Sequence, residues 1–106
     1  VELESPRAKL FTKAGDPSQE LNHAIRQIED WRRWLGNNLD HARRSRLNDG
    51  LGLKDITQNA PGLILIGRRR EQSQETNERR KQMSMSLGIK IHTYDFLVER
   101  LQVRLR

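Results

Sequence analysis

Two carboxylates, Glu2 and Glu4, stand two residues apart at the start of the chain and are followed by Pro6. Residues Val1–Ser5 alternate apolar and acidic side chains, which predicts a short strand with both carboxylates on one face. Such carboxylates lie about 6–7 Å apart, twice the rise per residue, and could bind a hard divalent cation that activates water for phosphodiester hydrolysis. A solvent-facing edge strand is the commoner interpretation of this pattern alone.

A second candidate group lies on a predicted helix. Asp16 as the cap, Pro17 at the first position and Gln19 as part of a capping box predict the helix start. The helical spacing of apolar residues predicts one buried face, formed by Leu21, Ala24, Ile25, Ile28, Trp31 and Leu35. The pattern continues to about Leu47, although Gly36-Asn37-Asn38 weakens it.

Gln27 and Trp31 share a side of this helix because they are four residues apart. We expect Trp31 to point inward and Gln27 to lie at the margin of the buried face. A glutamine there can support a site through amide hydrogen bonds. The alternative is an ordinary, partly exposed helix residue.

The charge of the chain favours a polyanionic partner. Twenty Lys and Arg against fourteen Asp and Glu give a net charge of +6 and a pI of about 10.5. A basic surface that only promotes solubility is the alternative. Arg26 belongs to the cations of the first helix, and Arg79–Lys81 reads as a solvated helix face.

A cluster of three arginines follows the most apolar segment of the chain. The run Leu63–Ile66, bounded by glycines, predicts a central strand buried on both faces. Ligands of open α/β sheets gather at the carboxyl ends of strands. We therefore expect phosphate contacts from Arg68, Arg69 and Arg70.

The remaining elements complete an α/β order of strand, helix, strand, helix, strand, helix. The sequence predicts a helix over residues 68–87 ended by Gly88, and a strand over Ile89–His92. Thr93 is the predicted cap of a last helix, whose apolar positions are Tyr94, Leu97, Val98, Leu101 and Leu105.

Several functional classes lose support from what the sequence lacks. With no cysteine, disulfides and thiolate metal sites are excluded, and cytoplasmic residence is the simple expectation. His23, His41 and His92 lack a metal-ligand spacing. No Walker A or G-x-S-x-G motif is present, and the apolar run Leu63–Ile66 is too short to span a bilayer.

Five pieces of sequence, taken in order, resemble a known pattern. They are V-E-L-E-S-P, L-F-T-K-A-G-D-P-S-Q-E-L, A-I-R-Q-I-E-D-W, L-I-L-I-G-R and I-H-T-Y-D-F-L. Together they resemble the nuclease domain of Shedu-type bacterial antiphage defence proteins, of the PD-(D/E)XK superfamily. The resemblance implies a partial restriction-endonuclease-like core, with a mixed sheet flanked by helices. It also implies a Mg²⁺- or Mn²⁺-dependent DNA endonuclease that self-assembles in its full-length form.

The resemblance also implies roles for individual residues. Glu2 matches the metal-binding glutamate, with the Leu3 carbonyl beside the same ion, and Gln27 matches a helix glutamine that supports the site. Glu4 departs from the pattern, because it stands where the family has a lysine. Lys9 or Lys13 could supply the missing ammonium or contact DNA.

Two functions from different classes remain open. One is a metal-dependent endonuclease, with residues 1–106 as a single nuclease-like domain that lacks its N-terminal strands and its metal-binding aspartate. The other, motivated by Glu4, is a non-catalytic nucleic-acid-binding or assembly module on a degenerate nuclease fold. A purely protein-binding domain is a weaker third possibility.

Overall fold

A computed structural model describes residues 1–57 and 59–104 and has the predicted α/β class. The elements are β1 (Glu2–Leu3), α1 (Gln19–Asn37), α2 (Leu39–Arg43), β2 (Gly62–Leu65), α3 (Gln74–Leu87), β3 (Ile89–His92) and α4 (Tyr94–Arg104). Two compact units can be distinguished. The first combines Val1–Arg26 with the described residues from Pro61 onward, and the second is the described part of Gln27–Ala60.

The first unit contains a three-stranded sheet in the order β1-β2-β3. Both neighbouring pairs are parallel, with Glu2 opposite Ile64 and Gly62 opposite Ile89. The predicted central position of the apolar run is confirmed, since β2 lies between β1 and β3 and the adjacent Ile64 and Leu65, which point to opposite faces, are both buried. The expected mixed sheet is not what the described strands form, because all three run in the same direction and the two connections between them pass through helices.

Helix α1 begins at Gln19, two residues later than the predicted first helical residue, Pro17. The Oγ of Ser18, not a side-chain oxygen of Asp16, accepts the Leu21 N–H at 3.1 Å. The backbone N–H of Ser18 donates to the Leu10 carbonyl at 2.8 Å, and Pro17 forms a bridge with Phe11. These contacts hold the chain extended up to Pro17, so the helix cannot start earlier.

The second unit shows why the predicted helix does not run on to Leu47. α1 ends at Asn37, and the Nδ2 of Asn38 donates to the Trp34 carbonyl at 2.8 Å, which satisfies a carbonyl at the helix end. The short helix α2 follows. The unit's small core consists of Leu35, Ala42 and Ala60, with Ile56 packed against it.

The inward orientation predicted for Trp31 is wrong. Its exposed fraction is 42%, whereas Ile28 and Leu35 on the same helix are buried. The small core of the second unit is built largely from alanines and contains no indole ring. Trp31 stacks instead on Trp34, with ring centroids 5.2 Å apart.

The helix predicted from residue 68 starts only at Gln74. Gly67 adopts a left-handed conformation with φ of 70°, and a single 3₁₀ turn, Arg69–Glu71, follows it. The Oγ of Ser73 then accepts the Thr76 N–H at 3.1 Å and caps α3. The predicted end at Gly88 is confirmed, because this residue is left-handed with φ of 63°.

Helix α4 leaves its apolar side chains in solvent. Leu97 is 44% exposed, and Val98 and Leu101 are each 53% exposed. None of the described residues of α4 is fully buried, and Leu105 lies outside the described residues. The amphipathic pattern therefore predicts that this segment is helical, but the apolar face of α4 is not buried against the rest of the described chain.

Candidate functional site

The short strand β1 exposes its apolar residues and shelters its acids. Val1 is 81% exposed and Leu3 64% exposed, whereas Glu2 and Glu4 are partly buried. This is the reverse of an ordinary edge strand, in which the charged face meets water. The two carboxylates therefore lie on the side of the strand that the rest of the first unit covers.

Glu4 forms the central contact of the site. Its Oε1 lies 2.8 Å from the Nδ1 of His23 on α1, and the exposed fractions of the two side chains are 17% and 57%. A carboxylate only accepts hydrogen bonds, so this contact requires a proton on Nδ1. The ring is thereby held in one tautomer, in which Nε2 is the proton acceptor of the neutral form.

A shallow cavity of about 310 Å³ opens beside this pair. Its lining consists of Glu4, Gln19, Glu20, His23 and Arg26. Two carboxylates, an imidazole and a guanidinium thus share one hollow, which provides groups for proton transfer and one cation for an anionic ligand. Glu2 is not among the described lining residues.

Tyr94 fixes the backbone of Glu4 from the opposite end of the sequence. The Tyr94 hydroxyl donates to the Glu4 carbonyl, and the Tyr94 N–H donates to the Gly67 carbonyl at 3.1 Å. The Glu4 N–H donates to the Leu65 carbonyl at 2.9 Å. The T-Y-D-F-L and L-I-L-I-G-R segments therefore meet each other and hold the position of Glu4.

Gly67 allows the chain segment after β1 to pass close to the end of β2. A Cβ at this position would lie 2.8 Å from the Ala8 carbonyl oxygen and 3.0 Å from the Leu10 Cδ1. The Gly67 N–H donates to the Ser5 carbonyl at 3.1 Å. Both the left-handed φ and the close approach require glycine here.

The arginine cluster after β2 is bound to acidic side chains of α4. The backbone N–H of Arg69 donates to the Asp95 Oδ2 at 2.7 Å, and the Arg69 guanidinium pairs with Glu99. The Arg68 Nε lies 3.7 Å from the same Asp95 oxygen. Arg70 is exposed and makes no ion pair with the described part of the chain. Two of the three predicted phosphate ligands thus also tie the loop to α4.

These contacts shift the pKa values of the groups involved. The hydrogen bond from the Arg69 backbone lowers the pKa of Asp95, and nearby Arg68 adds to this effect. The bond from the Arg69 side chain lowers the pKa of Glu99 and raises that of Arg69. All three groups remain charged at neutral pH.

His92, at the end of β3, lies in an aromatic stack. Its ring is 4.0 Å from the Phe96 ring with 7° between planes, and the Arg100 guanidinium lies 5.1 Å from the Phe96 centroid. Burial lowers the pKa of His92, and the charge of Arg80 lowers it further. The Arg80 Nη1 donates to the Ile91 carbonyl at 2.6 Å. His92 is therefore a neutral packing residue at physiological pH.

The other predicted site residues are placed on exposed surfaces. Lys9 and Lys13 are exposed on the segment between β1 and α1, and Arg26 lines the cavity beside His23. Gln27 is exposed on α1 and belongs to the second unit. No cluster of three or more His, Asp or Glu side chains suited to a metal ion occurs within residues 1–57 and 59–104.

Sequence reasoning missed two residues of this site, His23 and Tyr94. His23 has no metal-ligand spacing to the other histidines, and the sequence gives it no other motif. Its position three residues before Arg26 on α1 was a usable signal, because residues at that spacing share a helix surface. Nothing in the sequence indicated that the Tyr94 hydroxyl would reach the backbone of Glu4.

A comparison with protein families decides the relationship that the motifs suggested. The model of the family described as "Shedu protein SduA, C-terminal" matches residues 1–98. The chain belongs to this family. Membership in the Shedu family points to a role in antiphage defence. Neither the curated proteins nor the solved structures gave a significant match. Among the described residues, no helix is both long enough and apolar enough to cross a membrane.

Proposed function

We propose that this Shedu domain is a metal-dependent DNA endonuclease built on a PD-(D/E)XK-type core and acting in the bacterial cytoplasm. The observation that carries the proposal is the Glu4–His23 pair at 2.8 Å, one residue beyond β1 and beside a cavity that holds a further carboxylate and a guanidinium. Family membership and the net charge of +6 support a role against foreign DNA.

The residues fit a weakly held Mg²⁺ or Mn²⁺ ion better than a closed metal site. Glu2 would supply one carboxylate and Leu3 one carbonyl, both hard oxygen donors. Mg²⁺ commonly binds one or two carboxylates, several waters and substrate phosphate oxygens. When bound, the ion would lower the pKa of a water and neutralise phosphate charge.

The chain's own residues would position the substrate and move protons. Glu4 holds the His23 ring through Nδ1, so that Nε2 can accept a proton from an attacking water. Arg26, which lines the same cavity, would contact a phosphate oxygen.

Further cations would contact the DNA backbone away from the reacting phosphate. Lys9, Lys13 and Arg70 are exposed and suited to direct phosphate contact. Arg68 and Arg69 would contribute positive charge from positions that Asp95 and Glu99 hold. These contacts carry no sequence information, so we propose cleavage without base specificity.

Cleavage by the full-length protein tests the proposal. DNA is incubated with Mg²⁺ or Mn²⁺ and the wild-type protein, Glu2→Ala, or Glu78→Ala as a matched removal of an exposed glutamate. We expect cutting by the wild type and by Glu78→Ala and a loss of at least a hundredfold for Glu2→Ala, in the range that mutation of one catalytic group produces. Equal cutting by Glu2→Ala would exclude Glu2, and no cutting by the wild type with either metal would refute the function.

A second candidate function is a non-catalytic DNA-binding or assembly module. Glu4 at the family's lysine position favours it, as does the lack of a complete metal cluster in the described residues. The exposed apolar face of α4 would suit self-assembly. Glu4→Lys discriminates the two functions, because cutting gained only with this substitution would identify an inactive binder.

A further inference from the structure

The two tryptophans of the chain, Trp31 and Trp34, form a stacked pair at the surface of the second unit. Their ring centroids are 5.2 Å apart with 9° between planes. Trp31 is 42% exposed and Trp34 37% exposed. The His41 ring of α2 meets Trp34 edge-on, at 6.1 Å and 83°. These three rings, called here the aromatic platform, place flat apolar surface in contact with water.

The hydrophobic core of the unit does not account for this arrangement. That core consists of Leu35, Ala42 and Ala60 with Ile56, and the indole rings are not part of it. A tryptophan can bury about 150–250 Å² of surface. Because this pair remains about two-fifths exposed, it contributes much less to the stability of the fold than two buried tryptophans would. Exposed tryptophans of this kind are typical of binding surfaces, where they are strongly enriched among the residues that carry affinity.

The chain next to the platform is positively charged. Arg43, Arg44 and Arg46 follow His41 closely, are exposed, and are not interrupted by an acid. The Arg43 Nε donates to the Ile56 carbonyl at 3.0 Å, and this neutral partner orders the side chain without cancelling its charge. On α1, the acidic Asp30 is compensated by Arg33 at 3.2 Å. Asp40 precedes His41 and Asp49 follows Arg46, so the charge that complements a polyanion is that of the exposed run Arg43, Arg44 and Arg46.

We infer that the aromatic platform binds unpaired nucleobases of single-stranded nucleic acid, while Arg43, Arg44 and Arg46 contact its phosphates. Every base has a flat face, so stacking on an indole tolerates any sequence. A duplex keeps its bases stacked on each other, and the platform would therefore distinguish single strands from double strands. This binding goes beyond the proposed cleavage and does not depend on it.

Binding measured in EDTA tests the inference without contribution from cleavage. The probes are a short oligothymidylate and an abasic oligomer of equal length, which keeps the phosphates and removes the bases. We expect the oligothymidylate to bind about tenfold more tightly and to quench tryptophan emission, whereas the abasic oligomer should leave that emission unchanged.

Substitutions separate stacking from charge. Trp34→Ala should lower affinity for oligothymidylate about tenfold and leave abasic binding unchanged. Trp34→Tyr keeps a ring and should stay within a few-fold of wild type. Arg44→Ala should lower the affinity for both probes and should reduce the salt dependence of binding by about one phosphate contact.

Three results would overturn the inference. They are equal affinity for the two probes, unchanged oligothymidylate binding by Trp34→Ala, and no quenching at saturating oligothymidylate. The last result would exclude the indole rings as the surface on which the bases stack. Because EDTA suppresses cleavage, none of these results bears on the nuclease proposal.

Discussion

Replacing Gly67 by alanine should destabilise the first unit far more than the same change at Gly88. Both glycines are left-handed, with φ of 70° and 63°. They differ in what an added Cβ would meet. At Gly67 the Cβ would lie 2.8 Å from the Ala8 carbonyl oxygen, whereas at Gly88 the described residues beyond the adjacent ones place no atom within 4 Å of it. The pair therefore separates backbone strain from steric conflict.

The magnitude follows from these two effects. A left-handed conformation costs an L-residue about 1–2 kcal/mol, and this cost applies at both positions. Overpacking adds about 1–3 kcal/mol at Gly67, because the atom in conflict belongs to the backbone and cannot rotate away. We expect a loss of about 2–5 kcal/mol for Gly67→Ala against about 1–2 kcal/mol for Gly88→Ala.

Urea denaturation followed by circular dichroism measures the free energy of unfolding of each variant. Thermal melts give a second measurement. In a chain of this size, 1 kcal/mol corresponds to roughly 4–8 °C in Tm, so the melting temperatures of the two variants should differ by several degrees. Equal destabilisation by Gly67→Ala and Gly88→Ala would refute the close approach of Ala8 to Gly67, and with it the placement of the segment that follows Glu4.

Three further predictions concern the residues around the site. Tyr94→Phe should cost about 1 kcal/mol of unfolding free energy in urea, because the Glu4 carbonyl loses its hydroxyl donor; no loss would exclude that bond. The pKa of Asp95 is lower in the folded protein than its ordinary value of 3.8. Ionised Asp95 therefore stabilises the fold above pH 3.8, and this contribution is lost as the pH falls through the pKa of the folded protein. Asp95→Asn should therefore flatten the stability curve below about pH 4, and an unchanged acid slope would contradict the Arg69 contact. The pKa of His92 is also lowered, so stability should fall as pH drops below its ordinary value of 6.5. His92→Gln should remove that decrease, measured by urea midpoints at pH 5 and pH 8, and the same decrease in the variant would assign it to another group.

Local patterns predicted most of the elements but fewer of their boundaries. The apolar run Leu63–Ile66 and the alternation of Ile89–His92 identified β2 and β3, because a strand buried in a parallel sheet has a distinct composition. The start of α1 was predicted at Asp16, since Asp-Pro is a common opening. The bridge between Phe11 and Pro17 is a contact between residues apart in sequence, and it moved the cap to Ser18.

The sequence alone suggested which carboxylates could form a site, but it did not indicate which other side chains would contact them. The E-x-E pattern pointed to Glu2 and Glu4 as candidates, whereas their partial burial depends on tertiary packing. His23 reaches Glu4 across 19 residues, and Tyr94 reaches it across 90. The orientation of Trp31 was mispredicted for the same reason, because helical periodicity does not reveal the size of the core that a side chain meets.

The Glu4–His23 pair is tested most directly by cleavage assays on the full-length protein with Mg²⁺, comparing wild type, His23→Ala and Glu78→Ala. Glu78→Ala is the control, because it removes an exposed side chain of α3 that lies outside both proposed sites. We predict normal cutting by Glu78→Ala and a loss of about a hundredfold or more for His23→Ala. Wild-type cutting rates in His23→Ala would contradict the proposed role of the pair.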